Sequence, residues 1–176
     1  MDIASQGLVS HLWSSLALPG ESPFEIGRSR IIERSALPSH YSNWTVAEVS
    51  GDVAAASAGY RVPDPYDADD SGELPDAYAP LLELEALASG DWFLAVLAVF
   101  PEFRRRGLAK RMLLAAEVEA KRSGARSIAL TVSRANSMAR ELYLQSGFIE
   151  TARRKRVFLG GAGRCDDEWL LLRKSL

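Results

Sequence analysis

Arg104, Arg105 and Arg106, followed by Gly107 and Leu108, set three guanidinium groups beside a residue that has no Cβ, where a helical pattern begins. That combination suits an anion. A helix start leaves backbone N–H groups unpaired at the positive end of its dipole. Glycine lets a ligand approach the backbone, and arginine adds attraction and charge-assisted hydrogen bonds. On these residues alone two readings stay open: a phosphate-binding turn, and a solvated surface turn carrying a charge run. Other residue types that do chemistry are sparse. Cys165 is the single cysteine, and the only histidines, His11 and His40, are too scattered to propose a zinc site with it. Glu83 and Glu85 just precede an apolar run, where each can accept a substrate proton or simply face solvent.

The elements that must position these groups follow from periodicity. Trp92 to Phe100, WFLAVLAVF, reads as a strand covered on both faces, ended by Pro101. The helix after the arginines turns Ala109, Leu113, Ala116 and Ala120 inward and Lys110, Glu117 and Lys121 outward. Upstream, Leu8, Leu12 and Leu16 mark a short helix stopped by Pro19 and Gly20. A second helix starts at Pro23, with Phe24, Ile31 and Ile32 as core contacts. Strands Trp44 to Val49 and Val53 to Tyr60 form a hairpin around Ser50, Gly51 and Asp52, the second of them alanine-rich and narrow. Arg61 to Pro80 is a surface excursion holding Asp64, Asp67, Asp69, Asp70, Glu73 and Asp76. Leu81, Leu84, Leu87 and Ala88 then form the inner face of a short helix capped by Gly90, with Glu83 and Glu85 off that face. Downstream come a buried strand from Ser127 to Val132, then a helix capped by Asn136 or Ser137 that carries Ala139, Leu142 and Tyr143 and closes at Gly147. A strand from Phe148 to Phe158 with a basic middle, a connection through Gly160, Gly161 and Gly163, and a strand from Trp169 to Arg173 complete the chain. A mixed central sheet flanked by helices is the economical α/β arrangement, with the Trp92 to Val132 unit parallel and right-handed.

Composition bounds the function. The chain has 176 residues, 47% of them hydrophobic, which suits one substantial core and one domain over residues 1–176. A formal net charge of -2 excludes a polycation, so positive charge is local: Arg104 to Arg106 with Lys110 and Arg111, and Arg153, Arg154, Lys155 and Arg156. No apolar run approaches the roughly 20 residues of a membrane span. The single cysteine and the lack of a signal-like N-terminus point to a cytoplasmic protein.

Two segments in this order, FLAVLAVFPEFRRRGLAKRML and NSMARELYLQSGF, resemble the GNAT superfamily of acetyl-coenzyme A dependent N-acetyltransferases. The resemblance spans Gly7 to Leu176 and is strongest from Trp92 to Phe148. It implies the acyl-CoA N-acyltransferase fold with acetyl-CoA as cosubstrate. Backbone groups of Leu97, Ala98 and Val99 would pair with the pantetheine arm, and the turn Arg104, Arg105, Arg106, Gly107, Leu108 and Ala109 would cradle the pyrophosphate. Asn136 would hold the cofactor or cap its helix, and Tyr143 would reprotonate the departing thiolate. By residue type alone, Tyr143 is more readily a packing aromatic. The base stays open between Glu83 and Glu85. Cys165 lacks a histidine partner in view, so the reaction implied is direct attack by an amine in a ternary complex. Ala109 stands where many members carry glycine. Members usually begin with a strand and a long helix ahead of the segment resembling Leu8 to Gly20, so the first strand is expected to be missing and a sheet edge left unpaired. Two other classes stay in view: a non-catalytic acyl-CoA-fold interaction module, and a nucleic-acid binder using the basic patches. Whether the amine is a small molecule or a peptide is not legible, and a homodimer stays open.

Overall fold

The computed structural model describes residues 7–35, 37–67, 74–157 and 167–176. Helices α1 (Leu8–Leu16) and α2 (Pro23–Glu33) precede strands β1 (Trp44–Val49) and β2 (Asp52–Arg61). Helix α3 (Ala79–Ala86), strand β3 (Trp92–Val99), helix α4 (Leu108–Arg122), strand β4 (Ser127–Ser133), helix α5 (Ser137–Gln145) and strands β5 (Ile149–Lys155) and β6 (Glu168–Ser175) follow. The strands are hydrogen-bonded in the order β1-β2-β3-β4-β6-β5, so the mixed sheet flanked by helices is as expected. Among the described residues no strand precedes α1, and β1 stands at an edge. None of the described helices is long and apolar enough to cross a membrane. The chain forms two compact units: Met1–Tyr60 with Ala95–Ala116, and Arg61–Leu94 with Glu117–Leu176.

In the first unit β1 and β2 form an antiparallel hairpin from Trp44↔Ala58 to Val49↔Asp52. Its turn places Ser50 and Gly51 at φ 56 and 90, the paired left-handed geometry that matches strand twist. Narrow Ala54 and Ala55 on β2 let α4 approach, and Leu108 and Met112 pack on them with Leu97, Val99 and Phe103 around. Phe24 and Ile32, expected in the core, are instead 67% and 47% exposed; Gly27 is the one buried residue of α2.

In the second unit β3 runs parallel to β4, with Trp92↔Ile128 and Phe93↔Ala129 as partners. Strand β6 is antiparallel to both β4 and β5. Leu170, Leu171 and Leu172 are consecutive and all buried, which requires cover on both faces. Helix α3 packs on β4, β5 and β6. It begins at Ala79, ahead of the expected Leu81, because Pro80 is tolerated in a first turn. Its C-cap is Leu87, not Gly90, which leaves Leu87 52% exposed. Glu117, expected outward, has only 13% of its side chain exposed and pairs with Lys174 at 2.7 Å. Ion pairing across elements overrides the helical pattern there.

Candidate active site

In the first unit the site begins where β3 ends. Phe100 donates its N–H to the Ala54 carbonyl of β2 at 3.0 Å. Backbone direction alternates along a strand, so Ala98 faces the same side as Phe100, while Leu97 and Val99 present their backbone to the opposite edge. Pro101–Phe103 forms a short 3-10 turn, which carries the chain away from the strand.

The arginines that follow do not act as one cloud of charge. The Arg104 Nε donates to the Val99 carbonyl at 3.2 Å. Arg106 donates to the Glu102 carbonyl at 3.1 Å and lies 5.4 Å from the centre of the Phe103 ring. Both brace the turn, a role the sequence did not signal. Arg105 adopts φ 61 and Gly107 φ 76. Left-handed residues interleaved with ordinary ones turn successive amides toward one concavity, an anion-binding shape. The first bond of α4 runs from the Arg111 N–H to the Gly107 carbonyl at 3.2 Å, so the amides of Leu108, Ala109 and Lys110 stand ahead of the helical ladder. A Cβ built at Gly107 would meet nothing within 4 Å, which leaves the turn open. Leu108 is buried beneath it. A pyrophosphate therefore fits the residues present.

The second unit holds the other expected residues. Asn136 caps α5, its Oδ1 accepting the Ala139 N–H at 3.2 Å; the capping role leaves the amide nitrogen to donate elsewhere. Tyr143 lies on α5, 8% exposed, with its ring 5.8 Å from that of Phe148 and tilted by 57°. Burial pushes its phenol up to about 12. Glu83 on α3 is exposed and pairs with Arg154 Nε at 2.5 Å. Glu85 is half-buried; burial first, and then the Glu85 charge, raise Tyr66. Within this unit the structure brings Asn136 and Tyr143 onto one helix and sets Glu83 and Glu85 on another.

The second basic block is largely neutralised where it stands. Arg153 pairs with Glu150 at 2.6 Å and Glu168 at 3.7 Å, and Arg156 with Asp167 at 3.1 Å. With Arg154 paired to Glu83, three of its four cations have carboxylate partners within the chain, which offsets part of the charge a nucleic-acid face needs. Cys165, Phe158, the glycine connection and Asp69, Asp70 and Glu73 lie outside the described residues.

Among solved structures, one described as the crystal structure of acetyltransferase is 19% identical, with 95% of this chain and 92% of that chain covered and a TM-score of 0.60. A ribosomal-protein-alanine N-acetyltransferase from Brucella melitensis is 18% identical over 76% of this chain and 68% of that one, TM-score 0.53. A GNAT family acetyltransferase from Elizabethkingia anophelis, solved with acetyl-CoA bound, is 16% identical over 76% and 75%, TM-score 0.52. At these identities the likeness is one of fold. No curated protein matches the sequence. The family model described as the Acetyltransferase (GNAT) family matches residues 9–148. The strand, the braced turn and the capped helix carrying Tyr143 all fall inside that span, and the chain belongs to the acetyltransferase (GNAT) family.

Proposed function

We propose that the protein transfers an acetyl group from acetyl-CoA to an amine by direct attack in a ternary complex. The observation that carries this reading is the turn before α4, where the amides of Leu108, Ala109 and Lys110 precede the helical ladder and Gly107 stands open at φ 76. Family membership and the neighbour solved with acetyl-CoA support the same cosubstrate. Bound there, acetyl-CoA would supply an activated thioester carbonyl.

Each candidate residue then has a defined task. The Arg104 to Ala109 turn binds the pyrophosphate, with Arg104 and Arg106 keeping its shape and Arg105 adding charge. Leu97 and Val99, whose backbone faces away from β2, align the pantetheine arm as an added strand would, Ala98 lying between them. An N–H of this strand stabilises the oxyanion. The Asn136 amide nitrogen donates to the cofactor. Tyr143, a phenol protonated at neutral pH even at its ordinary value and pushed up to about 12 by burial, donates the proton to the departing thiolate. An amine with a reference pKa of about 10.4 must lose a proton before attack. Glu83 pairs with Arg154 and the Glu85 charge acts on Tyr66; we propose that one of these two carboxylates is the base. A chain with one cysteine suits a reducing compartment, and we propose a cytoplasmic location.

The experiment is to follow free thiol release from acetyl-CoA across small amines, amino acids and peptides. Turnover with any of them supports the reading. Saturable acetyl-CoA binding with no turnover would favour the interaction module, and no binding at all would overturn both.

A further inference from the structure

Asp167 is a carboxylate that the proposed reaction leaves without a task, and it is 8% exposed. Its Oδ2 accepts from the Ser133 hydroxyl at 2.9 Å and from Arg156 at 3.1 Å. Its Oδ1 accepts the N–H of Ala135 at 3.2 Å and of Glu168 at 3.0 Å. Burial alone would raise this carboxyl, yet the Ser133, Arg156, Ala135 and Glu168 donors outweigh it and hold it below the ordinary value. One side chain thus ties the end of β4 to the start of β6 and to the residue after β5. Arg156 in turn lies 4.8 Å from the centre of the Trp169 ring.

What these bonds hold is the turn into α5. Ser133 Oγ also accepts the Ala135 N–H at 3.1 Å, and the Asn136 N–H donates to the Ser133 carbonyl at 2.9 Å. Arg134 is fixed separately, its N–H on the Glu168 carbonyl at 2.8 Å and its guanidinium on the Glu168 carboxylate at 2.6 Å. The turn from Ser133 to Asn136 therefore has little freedom, and it delivers the residue that caps α5. An amide side chain at 167 would keep the volume but remove the charge from all four bonds, and its nitrogen, on either side, would face two of the existing donors.

We propose that Asp167 is a positioning residue, holding the Ser133 to Asn136 turn so that α5 presents the Asn136 amide and the Tyr143 hydroxyl in register for acetyl transfer. The inference rests on the proposed acetyl transfer for its consequence and on the hydrogen bonds for its geometry.

The test is a double-mutant cycle in the full chain, since residues that act through one another are non-additive. Asp167→Asn is expected to lower kcat about tenfold while the acetyl-CoA Kd changes less than about threefold. In a Tyr143→Phe background the same substitution should cost less than about twofold, a collapse that general destabilisation would not produce. Amide exchange over residues 134–139 should rise selectively in Asp167→Asn. Ser133→Ala, which leaves the carboxylate in place, should move exchange and kcat in the same direction by a smaller amount and provides the test if Asp167→Asn does not fold. Unchanged exchange in that turn, or equal kcat losses in both backgrounds, overturns the positioning role with acetyl transfer intact. Raised exchange in a protein whose parent shows no thiol release with any amine sinks the acetyl-transfer reading instead, and with it the catalytic consequence of Asp167.

Discussion

Tyr143 and Gly107 carry most of the chemistry, and they fail in different ways when altered. Removing the Tyr143 hydroxyl leaves its packing on Phe148, so Tyr143→Phe should reduce kcat by about a hundredfold, the scale of a general acid, with acetyl-CoA affinity and thermal stability nearly unchanged. Stopped-flow thiol release alongside calorimetric binding checks this. Gly107 is the converse case. Space is free around it, but φ 76 is unfavourable to any side chain, at roughly 1–2 kcal/mol. Gly107→Val should weaken acetyl-CoA binding at least about tenfold, measured by titration, with only a modest loss of stability. The carboxylates separate as well. Of Glu83→Gln and Glu85→Gln, the substitution that removes the base should lower kcat/KM about tenfold or more at neutral pH and shift its pH profile upward, and the other should leave kcat/KM within about twofold.

At the scale of elements, the close approach of α4 to β2 is what sets the phosphate turn in place. Ala54 and Ala55 are fully buried under Leu108 and Met112, so a larger side chain has nowhere to go. Ala55→Leu should destabilise the protein by about 1–3 kcal/mol and weaken acetyl-CoA binding with it, because Leu108 opens the same helix whose first amides face the turn. Denaturant unfolding and titration on one sample read both. A stability loss with unaltered affinity would show that the turn holds its shape without that packing. The α5 cap is a gentler device, since one side-chain acceptor serves one N–H at about 1 kcal/mol.

For the molecule as a whole, pH separates catalysis from stability. With Tyr143 pushed up to about 12, it stays protonated through the working range, so kcat/KM should rise with pH as the acceptor amine and its base lose protons, with no descending limb from the phenol below about pH 11. A descending limb near pH 9 that survives in Tyr143→Phe would assign the acid elsewhere. Stability runs the other way along the scale. Asp167 has a folded pKa below its unfolded one, so its contribution is complete above about pH 4 and is lost as pH falls through the folded value. The melting-temperature difference between pH 7 and pH 3 should therefore shrink in Asp167→Asn.

Local order is legible in the sequence, because hydrophobic period and turn chemistry act over a few residues. The expected strand Trp92 to Phe100 forms as Trp92–Val99, the helix expected after the arginines forms as Leu108–Arg122, and of the two expected caps, Asn136 and Ser137, the structure uses Asn136. The two motif segments and their order carried the family, and the open turn at Gly107 followed from a residue without a Cβ. Contacts between residues far apart in the chain were beyond that reach. The Ser133 bond to Asp167, 34 residues away, the pairing of Glu83 with Arg154, 71 residues away, and Lys174 drawing Glu117 inward exist only once strands and helices have packed together. Charges written as free in the sequence become partners in the fold, because a carboxylate leaving water needs donors and only tertiary structure decides which ones arrive.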